Sequence, residues 1–176
     1  MKMKLRDRLK FAAVACLALG LHAGDAAAQQ TPTSAKGQFV GTWSLLSIHY
    51  VEKDGRKIEP FGPGAKGMLY FDAGGRFATQ VMAADRPRFA SNNRMTGTPD
   101  ENRAMSRGVV AYFGTYTVDE PNHVVTLHIE QSSFPNWNGT DQQRKFAFTG
   151  DELRYTAASS TANPAESAEL VWKRLR

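Results

Sequence analysis

His128 and Glu130 stand two residues apart in a stretch where polar and apolar residues alternate. In a β-strand that spacing puts both side chains on one face. A carboxylate beside an imidazole orients it and raises its pKa, which acid–base chemistry requires. Arg144, on what reads as the neighbouring hairpin, could hold an anionic or enolic group, and Tyr70, Tyr112 and Tyr116 add hydroxyl donors. His128, Glu130 and Tyr116 would suit a lyase, cyclase or isomerase acting on a small aromatic or polyketide-like compound. The same residues also fit an ordinary surface: a solvent-facing strand, or a cross-strand ion pair between Glu130 and Arg144.

Other segments carry weaker signals. Phe134-Pro135-Asn136-Trp137-Asn138-Gly139 puts two aromatics in a turn-rich loop. Such residues either line a ligand site or pack the loop onto the fold. Asp85-Arg86-Pro87-Arg88-Phe89 reads as a lid with arginines for an acidic ligand, or as a structural loop. No metal and no cofactor is expected. Three histidines follow residue 28, His49, His123 and His128, and they lack the converging spacing of a zinc site. Gly-x-Ser-x-Gly and Walker-type loops are missing from the sequence.

These residues need elements to position them, and the punctuation is that of strands. Strands are predicted at about 40–52, 67–72, 76–83, 111–118, 123–131, 142–148, 152–157 and 168–175. Turn chemistry separates them at Asp54-Gly55, Ala73-Gly74-Gly75, Glu120-Pro121-Asn122 and Gly150-Asp151. About eight strands in hairpin order predict an all-β fold, an antiparallel up-and-down barrel or a sandwich. Thr98-Pro99-Asp100-Glu101 is a capping-box signature that opens a short helix to about Arg107. The stretch from Asp85 to Gly97 has no clear period and reads as a loop over one mouth of the barrel. Alternation places Val125, Leu127 and Ile129 opposite Thr126, His128 and Glu130, and Arg144, Phe146 and Phe148 opposite Gln143, Lys145 and Ala147. Which face points inward is left open, because a one-residue bulge inverts a strand.

The N-terminus explains the charge. Residues 1–28 join a basic start to the apolar run Phe11–Leu21 and end in Ala26-Ala27-Ala28, as a secretory signal peptide does. Cleavage after Ala28 is expected, with a disordered leader over 29–37 and a folded domain over 38–176. A lipoprotein acylated at Cys16 and an uncleaved anchor are the rival readings. Of the 22 Lys and Arg, five lie in residues 1–28, as do two of the 17 Asp and Glu. That turns a net charge of +5 for the 176-residue chain into 17 basic against 15 acidic residues, or +2. A nearly neutral domain has no electrostatic case for nucleic acid. Cleavage would also leave no stable membrane anchor and no cysteine, since Cys16 is the only one.

Gly41-Thr42-Trp43 resembles the Gly-x-Trp signature of lipocalins and the wider calycin barrels. Tyr70, Gly75-Arg76-Phe77, Asp85-Arg86-Pro87-Arg88-Phe89, Tyr112-Phe113-Gly114-Thr115-Tyr116, His128-x-Glu130, Pro135-Asn136-Trp137-x-Gly139-Thr140 and Arg144-x-Phe146 follow in order. Together they resemble the bacterial and fungal lipocalin-like domain proteins, from about Phe39 to the C-terminus. The resemblance implies an eight-stranded barrel with an interior cavity, and no single activity. It also implies that Trp43 packs at the closed end under a basic residue of the last strand, Arg174 or Lys173.

Three functions follow as expectations. One is a secreted or periplasmic protein binding a small hydrophobic or aromatic molecule through Tyr70, Tyr112, Tyr116, His128, Glu130, Trp137 and Arg144. The second is the acid–base enzyme above, in the same cavity. The third is a side-chain-filled barrel that works through its surface. A structure with no cavity above about 300 Å³ would remove the first two and leave the third.

Overall fold

The computed structural model describes residues 34–160 and 163–176. Their elements are α1 (Ala35–Phe39), β1 (Gly41–Val51), β2 (Lys57–Ile58), β3 (Lys66–Phe71), β4 (Arg76–Met82), α2 (Pro99–Arg107), β5 (Val109–Asp119), β6 (Val124–Ser132), β7 (Asp141–Thr149), β8 (Glu152–Ser160) and β9 (Asn163–Arg174). From β3 to β9 each strand pairs antiparallel with the next. β1 pairs with β3 on one side and with β9 on the other, which closes the sheet. The result is an eight-stranded antiparallel up-and-down barrel, with two-residue β2 added to the end of β1 by the Asp54-Gly55 turn. Closure removes the exposed edges that an open sheet would present.

Alternation decides what faces in. Val125, Leu127 and Ile129 of β6 are buried, as are Phe77, Thr79 and Val81 of β4 and Leu153, Tyr155 and Ala157 of β8. β1 breaks the rule at a bulge between Leu45 and Ser47. Trp43 and Leu45 are buried before it, Leu46 is 52% exposed, and Ile48 and Tyr50 face the interior after it. A second bulge sets Phe113 and Gly114 of β5 against Gln131 and Ile129 of β6. There the strands come so close that a Cβ on Gly114 would lie 2.0 Å from the His128 carbonyl, so no other residue fits.

One end of the barrel is shut by aromatics. Phe39, the last residue of α1, is fully buried, with ring centroids 5.0 Å from Phe71, 4.9 Å from Phe146 and 5.0 Å from Phe148. Burial of such a side chain contributes about 1.5–3 kcal/mol. Ser34 caps α1 by accepting from the Gly37 N–H at 3.1 Å. Residues 34–37 were expected in a disordered leader; instead they form this capped turn, because Phe39 has an apolar socket to fill. The expected signal peptide and residues 29–33 of that leader lie outside the described residues.

Trp43 donates its indole N–H to the Phe39 carbonyl at 2.9 Å, and the Arg174 guanidinium sits 4.1 Å above its ring. Arg174 also donates to the Val40 carbonyl at 2.7 Å and to that of Gln38. Gly41 has φ +132°, and a Cβ there would meet Arg174 Nη1 at 2.9 Å. Gly41, Trp43 and Arg174 thus form one latch, and Arg174 rather than Lys173 is the basic partner.

α2 crosses the other end. Thr98 caps it and Glu101 reciprocates to the Thr98 N–H at 2.8 Å, the full capping box. The other Glu101 carboxylate oxygen accepts from Ala90 N–H at 2.8 Å, which ties the preceding loop to the helix. Arg86 donates to the Ala83 carbonyl at 3.0 Å and packs where Gly108 leaves room, so this arginine of the loop has a structural job.

Candidate functional site

Between the aromatic floor and α2 lies a cavity of about 790 Å³. That volume suits a drug-sized molecule and excludes the side-chain-filled barrel. It exists because inward positions shrink along two adjacent strands. Trp172 and Leu153 pair across β8–β9, Leu170 pairs with Tyr155, but the next inward pair is Ala168 with Ala157. Leu69, Val81 and Leu127 supply apolar wall on the other strands, while Phe61, Phe134 and Trp137 stand at the mouth with Ser106 and Arg107 of α2.

Polar groups share this wall, among them Thr79, Asp141, Gln142, Gln143 and Arg144. The Arg144 guanidinium donates to the Gln143 carbonyl at 2.9 Å and to the Gln142 side chain. Tyr50, Tyr112 and Tyr155 bring hydroxyls from β1, β5 and β8. Burial pushes the Tyr50 hydroxyl above its ordinary pKa, and nearby Tyr112 adds to this. Burial raises Tyr155 much further, with Tyr112 also raising it, Arg144 opposing and Tyr116 adding a smaller rise. Tyr155 is therefore a neutral O–H at physiological pH. Its hydroxyl and the Trp172 indole N–H are buried and have no hydrogen-bond partner. Native proteins leave few such groups unpaired, and each one calls for an explanation.

Of the residues singled out from sequence, three line this cavity: Tyr112, Trp137 and Arg144. Trp137 does both things expected of it. It lines the mouth and packs edge-on against Tyr112 at 5.4 Å and Phe134 at 5.7 Å. The other four lie elsewhere. Tyr70 is on the outer face, 46% exposed, because Leu69 and Phe71 take the inward positions of β3. Tyr116 belongs to the aromatic floor, 4.7 Å from Phe71, and donates to the Asp72 carbonyl at 2.9 Å. His128 and Glu130 face outward because Leu127 and Ile129 face inward. His128 Nδ1 meets Asp141 at 2.7 Å and its Nε2 meets the Thr117 hydroxyl at 3.2 Å. Glu130 pairs with Arg76 at 2.8 Å, not with Arg144. The proposed acid–base set of His128, Glu130 and Tyr116 is therefore split between the outer surface and the floor.

Sequence reasoning missed Tyr50, Tyr155 and Trp172. Tyr155 and Trp172 sit in the inward register of their strands, and that register was the available signal. Tyr50 was hidden by the β1 bulge.

A closed antiparallel barrel with a plugged floor, an arginine–tryptophan latch and an interior chamber defines a small-molecule-binding β-barrel. The chain belongs to the lipocalin-like domain family, whose model matches residues 40–175. It is similar to the 4'-hydroxy-3'-methoxypropiophenone carrier protein ppsC of Aspergillus oryzae, with 30% identity over 110 residues, 56% of this chain and 96% of that one. Among solved structures it is similar to a lipocalin-like protein from Bacteroides uniformis, at 14% identity, TM-score 0.40 and coverage of 78% of this chain and 98% of that one. A further likeness is to As-p18, an extracellular fatty acid binding protein, at 12% identity and TM-score 0.39, covering 78% of this chain and 96% of that one.

Proposed function

We propose that this protein is a carrier that holds one small hydrophobic or aromatic molecule inside its barrel, outside the cytoplasm. The chamber of about 790 Å³, open at its mouth and lined by aliphatic and aromatic residues together with polar ones, carries the reading. The relative from Aspergillus oryzae is itself named as a carrier, and the compound in its name is an aromatic ketone. The outward facing of His128 and Glu130, on strand β6 whose Leu127 and Ile129 face in, favours holding over turnover. The basic and apolar pattern of residues 1–28 supports export.

The test uses N-phenyl-1-naphthylamine, a neutral dye whose emission rises in apolar surroundings. Titration should give a saturable rise at one dye per protein. Ala168→Phe, which fills the chamber beside Ala157, should abolish it while the protein stays folded. A dye signal equal in both proteins would place the binding elsewhere and refute the reading. For export, the mature protein should begin at Gln29; an intact N-terminus in exported protein would overturn cleavage there.

A further inference from the structure

Arg144 is the unusual residue of the chamber. Both acceptors it meets are neutral, a backbone carbonyl and a glutamine side chain. Among the described residues no carboxylate forms an ion pair with it. Asp141, at the mouth on the same strand, is engaged by His128 on the outer side. A cation beside apolar walls without an anion is costly unless something else supplies the charge.

Its neighbours are of one chemical kind. Phe146 pairs with Tyr155 across β7–β8, and Leu153 pairs with Trp172 across β8–β9. Arg144, Tyr155 and Trp172 consequently fall on one diagonal that descends through three successive strands, all in the inward register. Diagonal neighbours on a sheet are within reach of long side chains. The Tyr155 hydroxyl and the Trp172 indole N–H also lack an acceptor, but both atoms are covered by their neighbours, which leaves Arg144 as the donor of this diagonal that borders the chamber. Tyr112 of β5 and Tyr50 of β1 face the same space, and Arg107 of α2 adds a second cation at the mouth. A cation with only neutral acceptors, set among tyrosines, is complemented by an electron-rich oxygen.

Resting on the carrier reading, we propose that the chamber selects an organic acid and holds it as its anion. A phenolate, enolate or carboxylate oxygen lies at Arg144, and the apolar body lies toward Leu69 and Val81 on the opposite strands. The ligand's O–H proton passes to solvent as a neutral acid binds, and no covalent bond forms between ligand and protein.

The probe is 4-nitrophenol, whose neutral and ionised forms absorb at different wavelengths. Its methyl ether, 4-nitroanisole, has nearly the same shape and cannot ionise. Quenching of tryptophan emission reads binding of either one, since Trp137 and Trp172 line the chamber. The bound phenol should titrate at least about one pH unit below the free phenol, a tenfold preference for the anion. Arg144→Met should erase that shift and weaken binding of the anion on the order of ten- to a hundredfold, the worth of a charge-assisted hydrogen bond. Arg144→Lys, which keeps the charge, should retain a shift. Equal affinities for phenol and ether, with the bound phenol titrating as it does in solution, would overturn the proposal and leave the carrier reading intact. Failure of both probes and of N-phenyl-1-naphthylamine to bind would overturn both.

Discussion

Replacing Tyr155 with phenylalanine should make the protein more stable, whether empty or loaded. The Tyr155 hydroxyl is buried, closed off from water and without a partner. Leaving such a group unsatisfied costs about 1–3 kcal/mol, whereas the ring itself stays packed on Phe39 after the change. The ring centroids lie 6.3 Å apart in a stacked arrangement, and nothing in that contact depends on the oxygen. Taking the lower end for an oxygen-sized void left behind, Tyr155→Phe should gain about 1 kcal/mol. For a domain of this size that raises Tm by about 3 °C. Urea unfolding should show a higher midpoint with an unchanged slope, since the surface exposed on unfolding is the same. An acid at a hundred times its Kd adds about 2.7 kcal/mol to the parent. The variant should gain the same from that concentration, because a covered hydroxyl does not touch the ligand, so the two melting curves keep their order. A loss of more than 1 kcal/mol in the empty variant would sink the reasoning. It would mean that the hydroxyl already has a partner and is not an unmatched donor.

Other expectations are simpler. Arg174→Ala removes the cation over Trp43 and the donors to the Val40 and Gln38 carbonyls; it should cost roughly 2–3 kcal/mol by chemical denaturation and free α1 to exchange its amides. Gly41→Ala forces a side chain into a left-handed backbone and against Arg174, at a cost of roughly 1–3 kcal/mol. Glu101 is held below the ordinary carboxylate range by the Ala90 and Thr98 N–H groups. A depressed folded value means that its support is present at neutral pH and is lost as pH falls through that value, below the ordinary carboxylate range. Amide exchange at Ala90 and Thr98 should then rise before the barrel unfolds, and Glu101→Gln should show a weaker pH response at those two amides.

Much of the barrel was legible because alternation is a strong signal where polar and apolar residues strictly take turns. Val125, Leu127 and Ile129 identify β6, and Thr98 with Glu101 marks the start of α2, both from sequence alone. The β1 bulge was not legible: Leu46 is as apolar as its neighbours, yet it is the one turned out. α1 was missed because a five-residue helix with one apolar residue has no period to read. The site was read less well than the fold, for a physical reason. His128 and Glu130 attracted notice by their chemistry, but on a strand beside Leu127 and Ile129 a charged residue is outside by default. Inside, the donors are tyrosine and tryptophan, which in a sequence look like core. Arg144 was singled out as a group that could hold an anion on the hairpin beside His128 and Glu130, but the structure turns it to the opposite side of the wall from them, in register with Phe146 and Phe148.

The latch joins residues that are far apart in the chain. Trp43 pairs with Arg174 across the β1–β9 seam, so the first and last strands meet only after every intervening hairpin has formed. Loop-closure entropy makes such a contact late, and folds dominated by distant pairings complete in milliseconds to seconds. Until β9 arrives, β1 and β8 each carry an unpaired edge and the floor has no guanidinium above its indole. Synthesis from the ribosome delivers β9 after every other strand of the barrel, so the nascent barrel stays open, and exposed to capture by chaperones, until β9 has emerged. Loss of β9 would therefore remove a wall, a latch and the end of folding in one cut.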